Sequence, residues 1–564
     1  MMLRLLSIAA MLFLTPQLVV GQNQPSPPQS AHDHAAHGAG MRVPMPPGMV
    51  MLPGLVDEQP RTVPFLPGAG IDLPSLPEAR PSETIRLADG DTLDLTATMV
   101  RRTINGRSFA AYGYNGMIPG PLIRVTQAAT IVVRFHNAID LPSTVHWHGL
   151  RLDAAFDGVP GVSQAPVEVG ESFVYRIKFP DAGMYWYHPH VREDIQQAMG
   201  LIGNMLVDSP LDDYYAPVNR ELSLMLGDLL VNADTLIPFA RDTVDFALMG
   251  RVGNVMLING EPDWRIEAER GEVIRFYLTN SSNSRTWNLS IPGIPMKLVA
   301  TDVSRFEHEE WIESVVISPA ERYAIEAHFA KPGRYPLVNA VQAINHASGE
   351  FDARVDTIGF VTVLDRAVAT DHQDAFATLR VNTSVTEDIA SYRDDFQREP
   401  DQRLTLTMRS SGLPLTTVQF MSVDTAYRAP VEWADAMPLM NWLSNARQVT
   451  WILRDDATGR ENMEIDWRVA VGGVIKLRIF NDPNSFHPMQ HPIHLHGQRM
   501  LVIARDGVEN TNLAWKDTAL IPVGATVDLL IDASNPGVWM LHCHIAEHLG
   551  AGMMTMLHVE APDD

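Results

Sequence analysis

The chain holds one cysteine in 564 residues, and it lies between two histidines, in His542-Cys543-His544. His548 follows four residues after His544, and Met553 closes the run. A lone cysteine has no internal disulfide partner, so in this setting it reads as a metal ligand. A Cys thiolate, two imidazoles and a weak axial Met make a trigonal blue-copper electron-transfer site. The flanking histidines can hold a second metal group beside it, which would wire an electron-accepting copper to a place where oxygen is reduced.

Ten of the twenty histidines fall in four short clusters, at 146–148, 188–190, 491–496 and 542–548. His-x-His on a strand sends both imidazoles to one face, because side chains alternate with a period of two. Two such strands from the N-terminal part, meeting two from the C-terminal part, would enclose a polynuclear site between domains.

An internal repeat supplies the elements that must position these residues. Gly170-Glu171 is followed thirteen residues after Gly170 by Gly183 and then by His188-Pro189-His190. Gly524-Ala525 is followed at the same spacing by Gly537 and then by His542-Cys543-His544. A middle copy runs from Ala320-Glu321 to Gly333 but carries Val338-Asn339-Ala340 at the ligand positions. His146-Trp147-His148-Gly149 likewise matches His494-Leu495-His496-Gly497, with Asn288-Leu289-Ser290 the middle counterpart. Leu201 stands where the last copy has Met553, so the first copy is expected to lack a blue-copper site and the middle one to be a spacer. Short β-rich runs between Gly, Pro, Asn and Asp turns from about residue 82 predict an all-β chain of sandwiches.

The four motifs HWHG, HPH, HPIHLHG and HCHIAEHLGAGM resemble those of the multicopper oxidases, the laccase-like family of three cupredoxin domains. Tyr114-Asn115-Gly116 to Gly120-Pro121 adds to the resemblance, which covers roughly residues 82 to 562. It implies three cupredoxin-like Greek-key β-sandwiches at 82–210, 211–365 and 401–564, with a charge-rich linker at 366–400. It also implies four copper ions. A type 1 copper would take His491, Cys543 and His548 with Met553 axial, and a type 2 copper His146 and His494. One type 3 copper would take His148, His188 and His544, the other His190, His496 and His542. Substrate electrons would enter at the type 1 site and pass through Cys543 to His542 and His544, where dioxygen becomes two waters. An axial Met is expected to hold the type 1 potential lower than a non-coordinating residue would. Asp157, eleven residues after His146, falls where similar proteins carry a proton-relaying acid. Phe156-Asp157-Gly158 is equally a turn signal. Many bacterial relatives place a Glu directly after the second type 1 histidine, where this chain has Leu549, with Glu547 on the other side.

Composition sets the context. Forty-three Lys and Arg against 67 Asp and Glu give a formal charge of −24, which argues against nucleic acid and anionic lipid as partners. Dioxygen and a phenol, an aromatic amine or Cu(I) are the expected reactants. Arg4, the apolar run Leu5–Leu14 and the small-residue Val19-Val20-Gly21 predict a general secretory leader over 1–21, hence a periplasmic or secreted protein with no stable membrane insertion. Residues 22–81, with His32, His34, His37, Met41, Met45, Met49 and Met51, read as a flexible arm. That arm is either a weak copper-capturing segment or a tail without a role. His487, the Glu307–Glu310 run, the scattered Met408, Met421, Met437 and Met440, and His558 all read more simply as structural or solvated positions. A non-catalytic copper-storage or scaffold protein would show gaps in the ligand set, and a copper nitrite reductase would show two repeats. Neither matches this chain.

Overall fold

Strands dominate because β-branched and aromatic residues alternate with polar ones. The strand Thr92–Ile104 buries nearly every second side chain and exposes the others. The computed structural model describes residues 62–232, 236–345, 350–413, 431–432 and 441–561, and these lie in one compact unit. The leader and the Met/His-rich part of the arm up to residue 61, together with Met421, Met437 and Met440, lie outside the described residues.

Three two-sheet sandwiches follow one another, each around its own apolar core. In the first, Gly183–His188 is flanked by His146–His148 and Gly203–Asp208. In the last, Gly537–Cys543 is flanked by His491–Leu495 and Met554–Glu560. In the middle, Gly333–Asn345 lies between Trp287–Ser290 and Glu350–Ala367. The repeat read from glycine spacing is therefore a repeat of strand order. Register pairs His146 with His188 and His494 with His542. In the middle sandwich Ser290 faces Val338, so Ser290, not Asn288, occupies the place of the first histidine.

Two segments differ from the sequence reading. The arm is not free up to residue 81: Pro64–Phe65 pairs with Phe239–Ala240, and Phe65, Leu66 and Ala79 pack on the first core. Pro and Gly content hid these few apolar anchors. The linker at 366–400 is also more than a charged tether. It forms the helices Gln373–Ala377 and Thr383–Ala390, which bury Phe376, Val385 and Ile389. Among the described residues, no helix is long and apolar enough to cross a membrane.

Candidate metal centre

Strand alternation places two kinds of candidate ligand on opposite faces of one strand. At the end of Gly537–Cys543, Leu541 and Cys543 face the core of the last sandwich, where Cys543 is wholly buried. His542 and His544 face the other way, toward the first sandwich. In the same fashion Trp147 enters the first core, while His146 and His148 point out of it. The two His-x-His strands meet face to face. His146 stacks on His496 at 4.0 Å between ring centres, and His148 stacks on His494 at 3.7 Å.

Eight imidazoles form one buried cage. Rings of His148, His188 and His544 lie 5.1 to 5.7 Å apart, and His146 and His494 are 5.9 Å apart. Donor atoms of His190, His496 and His542 fall within 4.8 Å of one another, as do those of His146, His494 and His496 and those of His146, His148 and His188.

The outward ring nitrogens are held by oxygen acceptors. His146 Nδ1 donates to the Asp157 carbonyl at 2.7 Å, His188 Nδ1 to Pro189 O at 2.9 Å, and His494 Nδ1 to Asp517 O at 2.9 Å. His542 Nδ1 donates to Cys543 O at 2.9 Å and His496 Nδ1 to Asp157 Oδ2 at 2.8 Å. His190 Nδ1 lies 3.0 Å from Glu193 Oε1. His496 Nε2 and His542 Nε2 face each other at 3.0 Å, and most other inward nitrogens of the cage are left over. His146 Nε2, His148 Nδ1, His188 Nε2, His190 Nε2, His494 Nε2 and both nitrogens of His544 are buried without a hydrogen-bond partner. Buried polar atoms are rarely left unpaired, so converging orphaned imidazole nitrogens fit metal ions, with the outer acceptors fixing each tautomer.

Burial, then the neighbouring imidazoles, push His188, His190, His496, His542, His544 and His548 well below the usual histidine range. His148 is driven the same way by burial and His494, against the pull of Asp517. Neutral imidazole is the form that binds metal.

The second group is smaller. His491 Nδ1 and His548 Nδ1 lie 3.3 Å apart, and Cys543 Sγ is 3.5 and 3.8 Å from them. A planar site with bonds of about 2.0 Å to nitrogen and 2.3 Å to sulfur has edges of roughly 3.5 and 3.7 Å, so this triangle fits one ion. Burial lowers His491 to about 3 and pushes the Cys543 thiol up. A cation at this point would supply the charge that thiolate needs. The chain reaches the triangle through the short helix Ala546–Gly550. Beyond it, Met553 N–H donates to His548 O and Cys543 N–H to Met553 O, both at 3.1 Å. The Met553 side chain is fully buried in the same core. Trp451 packs on His548 at 4.1 Å, and His548 Nε2 lies 3.3 Å from the Leu248 carbonyl.

Asp157 sits at the C-terminus of the 3-10 turn Ala154–Phe156 and is 2% exposed. It is thus a turn residue and also a direct partner of two cage histidines. Gly158 is required behind it, since a Cβ there would lie 2.0 Å from Val145 O.

Several participants carried little signal in the sequence, Glu547 being named only as the acid before His548. Glu193 was visible only as a neighbour of His190. Glu547 accepts from Asn283 Nδ2 at 3.0 Å and Ser284 Oγ at 2.9 Å, and burial raises it to about 7. Asp517, Thr518 and Arg322 carried no signal, because only the meeting of three sandwiches brings them to the cage. The middle sandwich supplies none of the converging groups among the described residues, yet it is no mere spacer. The Leu248 carbonyl lies against His548, and Arg322 reaches His148 through Asp517, while Asn283 and Ser284 hold the buried Glu547 next to His548 in sequence.

Family models described as multicopper oxidase match residues 96–212, 222–359 and 435–563. The multicopper oxidase MmcO of Mycobacterium tuberculosis is 27% identical over 83% of this chain and 86% of its own length. Laccase-2 of Fomitopsis schrenkii is 28% identical over 85% of this chain and 91% of its own. Copper resistance protein A homolog of Pseudomonas syringae pv. tomato is 24% identical over 84% of this chain and 92% of its own. A crystal structure of a multi-copper oxidase from Pseudomonas thermotolerans is similar at a TM-score of 0.61 and 26% identity, over 84% of this chain and 100% of that one.

Proposed function

The chain belongs to the multicopper oxidase family, oxidoreductases with dioxygen as acceptor, and from that premise we propose an exported oxidase with one type 1, one type 2 and two type 3 coppers. His491, Cys543 and His548, with Met553 axial, would hold the type 1 ion. His146 and His494 would hold the type 2 ion, His148, His188 and His544 one type 3 ion, and His190, His496 and His542 the other. Bound there, copper supplies one-electron oxidation of a substrate and four-electron reduction of dioxygen to water. One observation carries the reading: buried, unpartnered imidazole nitrogens converge while their opposite nitrogens are fixed.

The protein's own groups do the rest. Cys543 is joined through its peptide bonds to His542 and His544, a covalent bridge between the two ligand groups. Burial keeps bulk water from the cage. A pocket of about 280 Å³ beside it, lined in part by His190, Glu193, Met540 and Leu549, gives a small molecule a way in. Asp157, between His146 and His496, would take and return a proton at its carboxylate.

The reductant is a phenol, an aromatic amine or Cu(I). His548 is fully buried beneath the Leu248 carbonyl, which favours a small one-electron donor such as Cu(I) over an aromatic ring docked on that edge. The relatives include one named a laccase and one named a copper resistance protein A homolog. Export rests on Arg4 and the apolar run Leu5–Leu14. Oxygen uptake by the copper-loaded protein, with Cu(I) and a methoxyphenol in parallel, decides the matter. A higher kcat/KM for Cu(I) supports the metal-ion substrate, and a higher value for the phenol makes this a laccase. No uptake with either would leave a copper-storage or scaffold protein.

A further inference from the structure

We infer that Arg322, on the middle sandwich, is a positioning residue for the oxygen-reducing cage: acting through the Asp517 carboxylate, it fixes which nitrogen of His148 faces the metal. The inference rests on the copper assignment proposed above.

Arg322 opens the strand Arg322–Phe329 and is wholly buried. Its guanidinium donates to Asp517 as a fork, Nη1 to Oδ1 at 2.6 Å and Nη2 to Oδ2 at 2.5 Å. Its Nε donates to Met184 O of the first sandwich at 3.0 Å, so this one side chain ties all three sandwiches together. Asp517 Oδ1 in turn accepts from His148 Nε2 at 3.0 Å and from Thr518 Oγ1 at 2.8 Å, while Asp517 O accepts from His494 Nδ1.

His148 differs from most of the cage. His146, His188, His190 and His494 leave Nε2 unpartnered and inward, whereas His148 leaves Nδ1. The proton must therefore stay on Nε2, and the Asp517 carboxylate is the acceptor that keeps it there. A carboxylate free to rotate would let the proton move to Nδ1 and block the metal. The Arg322 fork removes that freedom, because planar N–H pairs match both carboxylate oxygens at once. A buried ion pair adds little stability for its desolvation cost, so geometry is the better account of why one lies here.

Gly149 of the His-Trp-His-Gly motif supports this. Its φ is +87°, and a Cβ would lie 2.4 Å from Asp517 Oδ2 and 2.7 Å from Arg322 Nη2. The motif glycine makes room for the pair.

The test is Arg322→Met and Arg322→Lys in the full chain. The readouts are copper atoms per chain, thiolate-to-metal absorption at Cys543, the paramagnetic signal of the cage copper, and the apo-protein melting midpoint. We expect Arg322→Met to keep the Cys543 absorption while cage copper binds about 10–100-fold more weakly. Arg322→Lys should not rescue it, since an ammonium lacks the paired donors. Normal cage copper and an unchanged signal in Arg322→Met would overturn the inference. If that variant fails to fold, Arg322→Met/Asp517→Asn decides, because it leaves no lone buried charge. Set beside Asp517→Asn alone, a folded double variant with the same cage defect supports the inference, and one with an intact cage, or with a defect well beyond that of Asp517→Asn, overturns it. A wild-type chain that takes up no copper would overturn the underlying assignment instead, and the wild-type control reports that separately.

Discussion

Asp157 is the residue at which turn formation and contact with two cage histidines meet the proposed proton transfer, and two substitutions separate them. Asp157→Ala removes the acceptor 2.8 Å from His496 Nδ1 and leaves that N–H buried and unpaired, at a cost of about 1–3 kcal/mol. Loss of an outer-shell partner of this kind weakens metal binding or activity by about 10–100-fold, so the Ala variant should lose cage copper. Asp157→Asn keeps an oxygen acceptor for His496 and is as good a turn residue, so folding and copper content should survive. An amide cannot take up and return a proton as the carboxylate does, and general acid–base catalysis contributes about 10²–10⁴-fold. Asp157→Asn should therefore turn over at least roughly 10²-fold more slowly with a full copper complement. The assay is oxygen uptake under saturating substrate, with copper counted on the same sample and rates compared in H2O and D2O. An Asn variant that works at the wild-type rate would reduce Asp157 to a turn and positioning residue.

Three further outcomes are expected. Cys543→Ser should abolish substrate oxidation and the thiolate absorption while the cage still binds copper, and wild-type turnover by this variant would disprove the covalent bridge through Cys543. Gly497→Ala forces a Cβ to within 2.1–2.4 Å of the Trp539 ring at a φ of +61°. Overpacking of about 1–3 kcal/mol and a left-handed backbone cost of about 1–2 kcal/mol predict a clear drop in the urea midpoint, and a shift below about 1 kcal/mol would contradict that packing. Seven cage histidines, together with His491 and His548, are held below the usual range, chiefly by burial. As pH falls below about 6.5, the unfolded chain binds protons that the folded one refuses, so the metal-free protein loses stability as the pH drops. Urea midpoints at pH 7.5 and 5 check this: the apo midpoint should fall steeply and the copper-loaded one much less, and a flat apo profile would contradict it.

The cage histidines were legible because their signal is local. Period-two spacing puts both imidazoles of a motif on one face, and glycine spacing aligns the strands that carry them. The three-sandwich repeat was legible for the same reason, since each copy reuses one strand order. What escaped was long-range. Asp517 and Arg322 are 195 positions apart, and nothing beside either marks it as a neighbour of His148. The Leu248 carbonyl over His548 is a backbone group, which no residue type announces. The docked stretch around Phe65 and the helical linker were obscured by composition: Pro, Gly and charge dominate both, while a few apolar side chains decide their packing.

On the proposed assignment, two ligand groups hold four coppers in a one-plus-three arrangement. X-ray diffraction from crystals of the loaded protein, collected on either side of the copper absorption edge, locates copper directly. One anomalous peak is expected among His491, Cys543 and His548, and three within the cage of His146, His148, His188, His190, His494, His496, His542 and His544. Fewer than three peaks in that cage, or none beside Cys543, would contradict it.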